Sequence, residues 1–275
     1  MMVKFFAKAY VWMLIVILYL PIFVIAVFSF TESKVLGNWT GFSTELYTSV
    51  FSGGVNKALT TALINTFVIA VVAAGVSTVL GSYTAVGLYT LKGNKRKLLD
   101  FFNNIPVLNP DIITGISLFL LFVFLGITQG YLTVILSHVA FCTPYVILSV
   151  MPRLQSLNPN IYEAALDLGA TPMQAVNKVI VPEIRQSMVS GFILAFTLSI
   201  DDFAVTLFTS GNNGLQTLST YIYNDARRGG LTPELRPLST IIFVVVLLLL
   251  LIVNYRASKA RKKREGALNT NFNAN

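Results

Sequence analysis

Charge is what this sequence has least of. Only 12% of its 275 residues are Asp, Glu, Lys or Arg, about half the share of an average soluble domain. Cysteine is almost absent: the single Cys142 excludes a disulfide framework or a cysteine-based metal site within one chain. The phosphate-cradling pattern G-x-x-x-x-G-K-[ST] is missing, since the glycines of Gly53-Gly54 and Gly93-Asn94-Lys95 lack its spacing, and that excludes a P-loop nucleotide site. No internal repeat and no low-complexity segment is present.

What the chain has instead is long apolar runs, within a composition that is 55% hydrophobic. A helix rises 1.5 Å per residue, so about twenty apolar residues cross a hydrocarbon core of roughly 30 Å. Six runs meet that length, near residues 9–30, 62–90, 105–125, 131–151, 187–209 and 237–255. The last, Leu238 to Val253, contains no charge. In the third, Pro106, Pro110 and Asp111 fall in the first turns, and only Gly126-Ile-Thr-Gln-Gly130 separates it from the fourth. Residues 1–30 mimic a signal peptide, but the apolar stretch is too long and lacks a small-residue cleavage site, which predicts a retained first span. The fold class expected is an all-α membrane protein: one six-helix unit over 1–265 with a disordered tail at 266–275.

Fifteen of the twenty Lys and Arg residues lie at the termini, between spans two and three, or between spans four and five. Five, namely Lys34, Lys57, Arg227, Arg228 and Arg236, lie on the other side. The positive-inside rule then puts both termini in the cytoplasm. The net charge of +8 follows from that topology and gives no support to nucleic acid as a partner. The tail Arg261-Lys-Lys-Arg264 suits contact with anionic lipid, although a stop-transfer flank explains it equally. On the outer side, Trp39, Phe42 and Tyr47 predict a short interfacial helix, and Asn212-Asn-Gly214 predicts a turn.

Between the fourth and fifth spans lies a polar island at 158–183. Asn158-Pro159 reads as an N-cap with proline in the first turn. Ile161, Ala164, Ala165 and Leu168 form an apolar stripe at helical spacing, while Glu163 and Asp167 share the other face. Gly169 supplies the left-handed position that ends a helix. Thr171-Pro172-Met173-Gln174 opens a second helix with a capping box; Met173, Val176, Val179 and Ile180 give it a stripe, and Pro182 is expected to stop it. On helix signals alone, packing and partner docking are equally good explanations. The spacing of Glu163-Ala164-Ala165, Gly169 and Val179-Ile-Val-Pro182 resembles the signature loop of ABC importer permeases, with Val at 179 and 181 where Ile and Leu are usual. The resemblance implies that Glu163, Ala164, Ala165, Asp167, Gly169 and Pro182 dock a separate ATPase subunit, which would hold the ATP and Mg. This chain is then expected to be neither an enzyme nor the holder of a cofactor or metal.

Four ionisable groups fall inside predicted spans. Asp201 and Asp202 sit slightly outside the midplane of the fifth, where each buried carboxylate costs about 2.5–3.5 kcal/mol. Neighbouring helical residues point about 100° apart, so both line one pathway only at its edge or where the helix is distorted. The alternatives are an acidic lining for a cationic substrate, or a pairing with a basic group or another helix. His138 falls at a similar depth, as a partner of that pair or a satisfied buried imidazole. Asp111 is either a helix cap or a third pathway carboxylate. Tyr221 and Tyr223 are interfacial anchors or, by cation recognition, pathway residues.

The segments Phe196-Thr-Leu-Ser-Ile-Asp-Asp-Phe203, Asn109-Pro-Asp-Ile112, Leu136-Ser-His-Val-Ala-Phe-Cys-Thr-Pro-Tyr145 and Thr232-Pro-Glu234 look like one permease subunit of bacterial spermidine/putrescine importers. That resemblance covers nearly the whole chain and implies a type I ABC importer permease in the inner membrane. It also implies a second homologous permease, an ATPase dimer and an extracytoplasmic polyamine-binding protein as partners. Asp201, Asp202, Asp111 and Tyr223 become pathway candidates for a multiply protonated cargo. Other readings are the same machine with a cargo such as ferric iron, sulfate or a phosphonate, an intramembrane metal-dependent enzyme using His138 and the Asp pair, and a homomeric ion channel.

Overall fold

Alanine, glycine and serine recur along residues 57–90 at three- and four-residue intervals, and this spacing governs how the longest helix packs. The computed structural model describes residues 2–33, 35, 37–52, 57–91, 93–158, 160–212, 214–228, 232–245 and 247–248. The helices, in chain order, are α1 (Met2–Phe28), α2 (Glu45–Phe51), α3 (Lys57–Thr90), α4 (Gly93–Leu108), α5 (Asp111–Phe124), α6 (Tyr131–Ser156), α7 (Asn160–Asp167), α8 (Pro172–Ala175), α9 (Val181–Asp201), α10 (Ala204–Thr209), α11 (Leu218–Arg227) and α12 (Leu235–Val245). No strand occurs among the described residues. They form two compact units, residues 57–224 and residues 1–56 with 225–275.

In the 57–224 unit, α3, α6 and α9 pack on one another, α10 packs on α5 and α6, and α4 lies against α6. The buried stripe of α3 includes Ala62, Thr66, Ala70, Ala73, Ser77, Gly81 and Ala85. Small residues let helix backbones approach closely where no hydrophobic effect drives association in lipid. Val146 of α6 is where these three helices fit closely. A Cβ on Gly81 of α3 would lie 2.8 Å from the Val146 Cβ, and one on Gly191 of α9 would lie 3.2 Å from its Cγ1. We expect Gly81→Leu to destabilise the bundle by about 1–3 kcal/mol and Val146→Ala to recover part of that loss, as contacting residues do. Thermal melting of the purified chain checks this; a Gly81→Leu protein that melts with the parent would show that the contact is slack.

In the other unit, α2 supplies the short helix expected within 31–60. Ser29 and Tyr47 share a 2.7 Å hydrogen bond, the Phe30 ring stacks on Tyr47 at 4.8 Å between centroids, and the buried Arg236 donates from Nη1 to the Ser33 carbonyl at 2.8 Å.

Several expectations change. Among the described residues, four helices are long and apolar enough to cross a membrane: Lys8–Phe28, Lys57–Thr90, Tyr131–Ser156 and Pro172–Asp201. The third predicted run, 105–125, is not one helix. Residues 105–108 end α4, and α5 leaves at 108° to it. Asn109-Pro110 explains the break, because proline disfavours helical backbone in the residue before it and lacks an N–H, and Pro110 itself is extended (φ −58°, ψ 139°). The fifth run, 187–209, is broken at Asp202, whose ψ of 131° is extended. Pro182 stops nothing: α8 continues through a π-helical turn, Val176–Ile180, into α9. Proline inside a helix lacks the N–H for the preceding turn and its ring crowds the carbonyl there, and the π-helical turn directly before Pro182 widens the helix at that point. Of the sixth run, 237–255, α12 describes the start, while residues 249–255 and the tail 266–275 lie outside the described residues.

Candidate functional site

The two breaks meet. The α4–α5 bend at Pro110 and the α9–α10 break at Asp202 both line a single cavity of about 600 Å³, closed on its third side by Phe141 and Tyr145 of α6. Interrupted backbone at membrane depth is tolerated only where it is buried in protein or lines a cavity, and half-helix ends commonly form binding sites there.

The carboxylates play different parts. Asp202 is turned inward, its side chain 4% exposed. Oδ1 accepts from the Val205 amide at 3.1 Å, and Oδ2 accepts from the Thr206 amide at 2.8 Å and the Thr206 hydroxyl at 2.7 Å. These are the amides that a new helix leaves orphaned, so Asp202 caps α10. Asp201, the last residue of α9, and Asp111, the first of α5, line the cavity and are exposed. Neither side chain has a hydrogen bond or ion pair among the described residues. The residue at the cap position of α5 is Pro110, with no side-chain cap, so Asp111 is not the cap of that helix.

Tyr223 on α11 is not among the residues lining the cavity. Its ring packs on Phe203, centroids 4.9 Å apart, and it is Phe203 that reaches the cavity wall. Tyr221 is buried. His138 is fully buried, with Nδ1 2.6 Å from Ser199 Oγ, Nε2 2.9 Å from Thr206 Oγ1 and Nε2 3.4 Å from Asp202 Oδ2. It is both a satisfied imidazole and the neighbour of Asp202. Among the described residues no group of His, Cys, Asp and Glu is arranged to hold a metal.

The polar island folds as a helical pair. Asn158 accepts from the Asn160 amide at 3.0 Å. At the other end of α7, Gly169 has φ +87°, its amide donates to Leu166 O at 2.9 Å and the Ala170 amide donates to Ala165 O at 3.1 Å, the paired bonds of a left-handed helix stop. Thr171 and Gln174 form the capping box that their spacing predicts. The stripes differ from expectation. Ala165 is buried and Ile161, Tyr162 and Leu166 are half-buried, whereas Ala164 and Leu168 are exposed beside Glu163 and Asp167. Met173 also points outward. Tyr162, which has the wrong polarity for a stripe read by hydropathy, packs on the unit's main core and turns α7 so that Leu168, 90% exposed, faces away. The outer face therefore mixes acidic and apolar groups. Two ties hold this region to the long helices: Tyr83 of α3 donates to Asn177 Oδ1 in the π turn at 2.7 Å, and Arg153 of α6 donates to the carboxylate of Glu183, in the first turn of α9, at 3.0 Å and to its carbonyl at 3.1 Å.

Sequence reasoning missed Phe141, Tyr145 and Phe203 as cavity residues and Ser199 and Thr206 as partners of His138. The only signal for the last is the spacing of the polar residues Ser199, Asp202 and Thr206 along one apolar stretch.

Comparison with known proteins places these features in a family. The family described as binding-protein-dependent transport system inner membrane component matches residues 77–263. The chain is 34% identical over 245 residues to the spermidine/putrescine transport system permease protein PotC of Haemophilus influenzae, covering 89% of this chain and 93% of that protein. It is 36% identical over 256 residues to the putrescine transport system permease protein PotI of Escherichia coli K12, covering 90% and 89% respectively. In fold it is similar to a solved bacterial ABC transporter involved in import of the acidic polysaccharide alginate, with a TM-score of 0.68 at 15% identity over 92% of this chain and 95% of that one.

Proposed function

The chain belongs to the family of binding-protein-dependent transport inner membrane components, as a permease subunit with the type I importer fold, and on that premise we propose that it carries polyamines inward through the α5–α6–α9 cavity. The observation that carries this reading is the pair Asp111 and Asp201, two carboxylates with no hydrogen-bond or ion-pair partner among the described residues, in one cavity lined also by Phe141, Tyr145 and Phe203. Spermidine and putrescine are multiply protonated at neutral pH. Carboxylates and aromatic rings lining one cavity match such a cation by charge and by cation–π attraction. The spermidine/putrescine and putrescine permeases among its relatives support the same cargo.

The working assembly would be this chain, a second homologous permease, a pair of ATPase subunits and an extracytoplasmic polyamine-binding protein, in the cytoplasmic membrane with both termini inside. ATP and Mg would be held by the ATPase. The outer face of α7 and α8, with Glu163, Ala164, Asp167, Leu168 and Gly169, would dock on it. The buried Ala165 and, at the start of α9, Pro182 would hold the pair in place, and the Tyr83 and Arg153 ties would pass its movement to α3 and α6. Alternating access then needs only two arrangements of the helices around a fixed site, biased by nucleotide.

The test is co-purification followed by uptake. A tagged chain expressed with its neighbours should bring down an ATPase subunit, and the reconstituted complex should accumulate labelled putrescine or spermidine in an ATP-dependent way. A complex that assembles and carries neither compound would overturn the cargo; a chain that recruits no ATPase would overturn the machine.

A further inference from the structure

The cavity reading leaves one group unused, the buried His138. It lies on α6, fully buried against Phe141 with ring centroids 5.2 Å apart, and its partners come from both sides of the α9–α10 break: Ser199 before it, Asp202 within it and Thr206 after it. Counting donors settles the hydrogen bonding. The Thr206 hydroxyl has one proton, and it goes to Asp202 Oδ2, which can only accept. Thr206 Oγ1 must therefore accept from His138 Nε2–H, while Nδ1 and the Ser199 hydroxyl share the second hydrogen bond. Every polar atom of this cluster is satisfied, in a position where an unsatisfied one is costly.

We infer that His138 is a positioning residue of the transport cavity. By clamping Ser199 and the Asp202–Thr206 cap, it holds the α9–α10 break open and so fixes the direction in which Asp201 and Phe203 enter the cavity. The competing arrangement is a continuous helix through residues 201–206, which would pair the first amides of α10 within the helix and release Asp202 from its capping role. Successive residues of a continuous helix turn by about 100°, so Asp201 and Phe203 would leave the geometry that the break imposes. His138 selects between the two because only the broken form presents Ser199 and Thr206 to opposite nitrogens of one ring. The inference rests on the cavity being the cargo pathway, and its test separates the two ideas.

The purified complex is compared as parent, His138→Leu and His138→Gln, the glutamine amide being able to donate where Nε2–H does. Hydrogen–deuterium exchange of the segment 203–209 reads the cap without reference to cargo, and the KM for labelled putrescine reads the cavity. In His138→Leu, loss of the clamp should speed exchange at Val205 and Thr206 by about tenfold and raise KM by a similar factor. Exchange in the distant half of α6 and the maximal rate should change far less. His138→Gln should remain close to the parent in both. A merely structural role would raise exchange throughout and lower the amount of complex. Parental exchange and KM in an assembled His138→Leu complex would overturn the inference. Should His138→Leu fail to assemble, Ser199→Ala decides in its place: faster exchange at Val205 and Thr206 supports the clamp and parental exchange overturns it. A parent complex that carries no putrescine or spermidine, with exchange behaving as stated, overturns the cargo alone.

Discussion

Replacing both Asp111 and Asp201 by asparagine should all but abolish polyamine uptake while leaving the complex assembled. A charged hydrogen bond between a carboxylate and an ammonium contributes about 1.5–3 kcal/mol, so each single substitution should lower transport efficiency roughly ten- to a hundredfold. The double variant should lose close to the product of the two, provided the cargo bridges them as independent contacts. Neither side chain supports the fold through a hydrogen bond or ion pair among the described residues, and both are exposed to the cavity. The chain should therefore reach the membrane in parental amount and retain its ATPase subunit. Asp201→Glu keeps the charge and should retain part of the activity. Labelled uptake in proteoliposomes is the measurement, with complex recovery as the control. Parental uptake in the double variant would remove these carboxylates from the pathway.

Gly169→Leu should uncouple ATP hydrolysis from transport. Gly169 adopts φ +87°, and nothing among the described residues lies within 4 Å of a Cβ placed there. The objection to a side chain is thus the backbone itself: an L-residue in the left-handed region costs about 1–2 kcal/mol, which shifts the population of correctly turned helical pairs by about five- to thirtyfold. Bulk on the outer face, beside the exposed Leu168, would add a clash with whatever docks there. Asparagine tolerates left-handed backbone better than other side chains, so Gly169→Asn should transport nearly normally, Gly169→Ala less well, and Gly169→Leu least. Uptake and binding-protein-stimulated ATP hydrolysis read the coupling, and the amount of chain in the membrane should stay constant across the series. Equal coupling in all three variants would argue that this turn transmits nothing.

These two experiments probe features that differ in how far they were legible. The island at 158–183 could be read almost atom by atom at its turns, because the Asn158 cap, the Gly169 stop and the Thr171–Gln174 box involve residues at most five apart. Its buried face was less legible. Hydropathy placed Ala164 and Leu168 inward, but the half-buried Tyr162 takes that side, since an aromatic ring contributes more contact than an alanine whatever its polar tip. The third span was misread for a related reason. Ile105-Pro-Val-Leu108 is apolar enough to extend the run, yet Asn109-Pro110 ends the helix and sends the next one off at 108°.

Sequence by itself determined the membrane class, the placement of the apolar runs, the short caps and turns, and the shortlist of intramembrane carboxylates. Each follows from run length against bilayer thickness or from contacts a few residues long, and such interactions act before any tertiary contact forms. Only the tertiary structure decided which carboxylate is held in a cap and which are left exposed in the cavity. Asp201 and Asp202 are adjacent and of the same residue type, and they part because the helix breaks at Asp202 and restarts at Ala204, which leaves Asp202 to cap the new start. Beside that break lies His138, whose ring meets Ser199 and Thr206 from 61 and 68 residues away, and the α4–α5 bend brings Asp111 to the cavity that Asp201 lines. Low-dielectric surroundings force every polar group there to find a partner or face water. Which of the two it does depends on what the packing of distant helices places beside it.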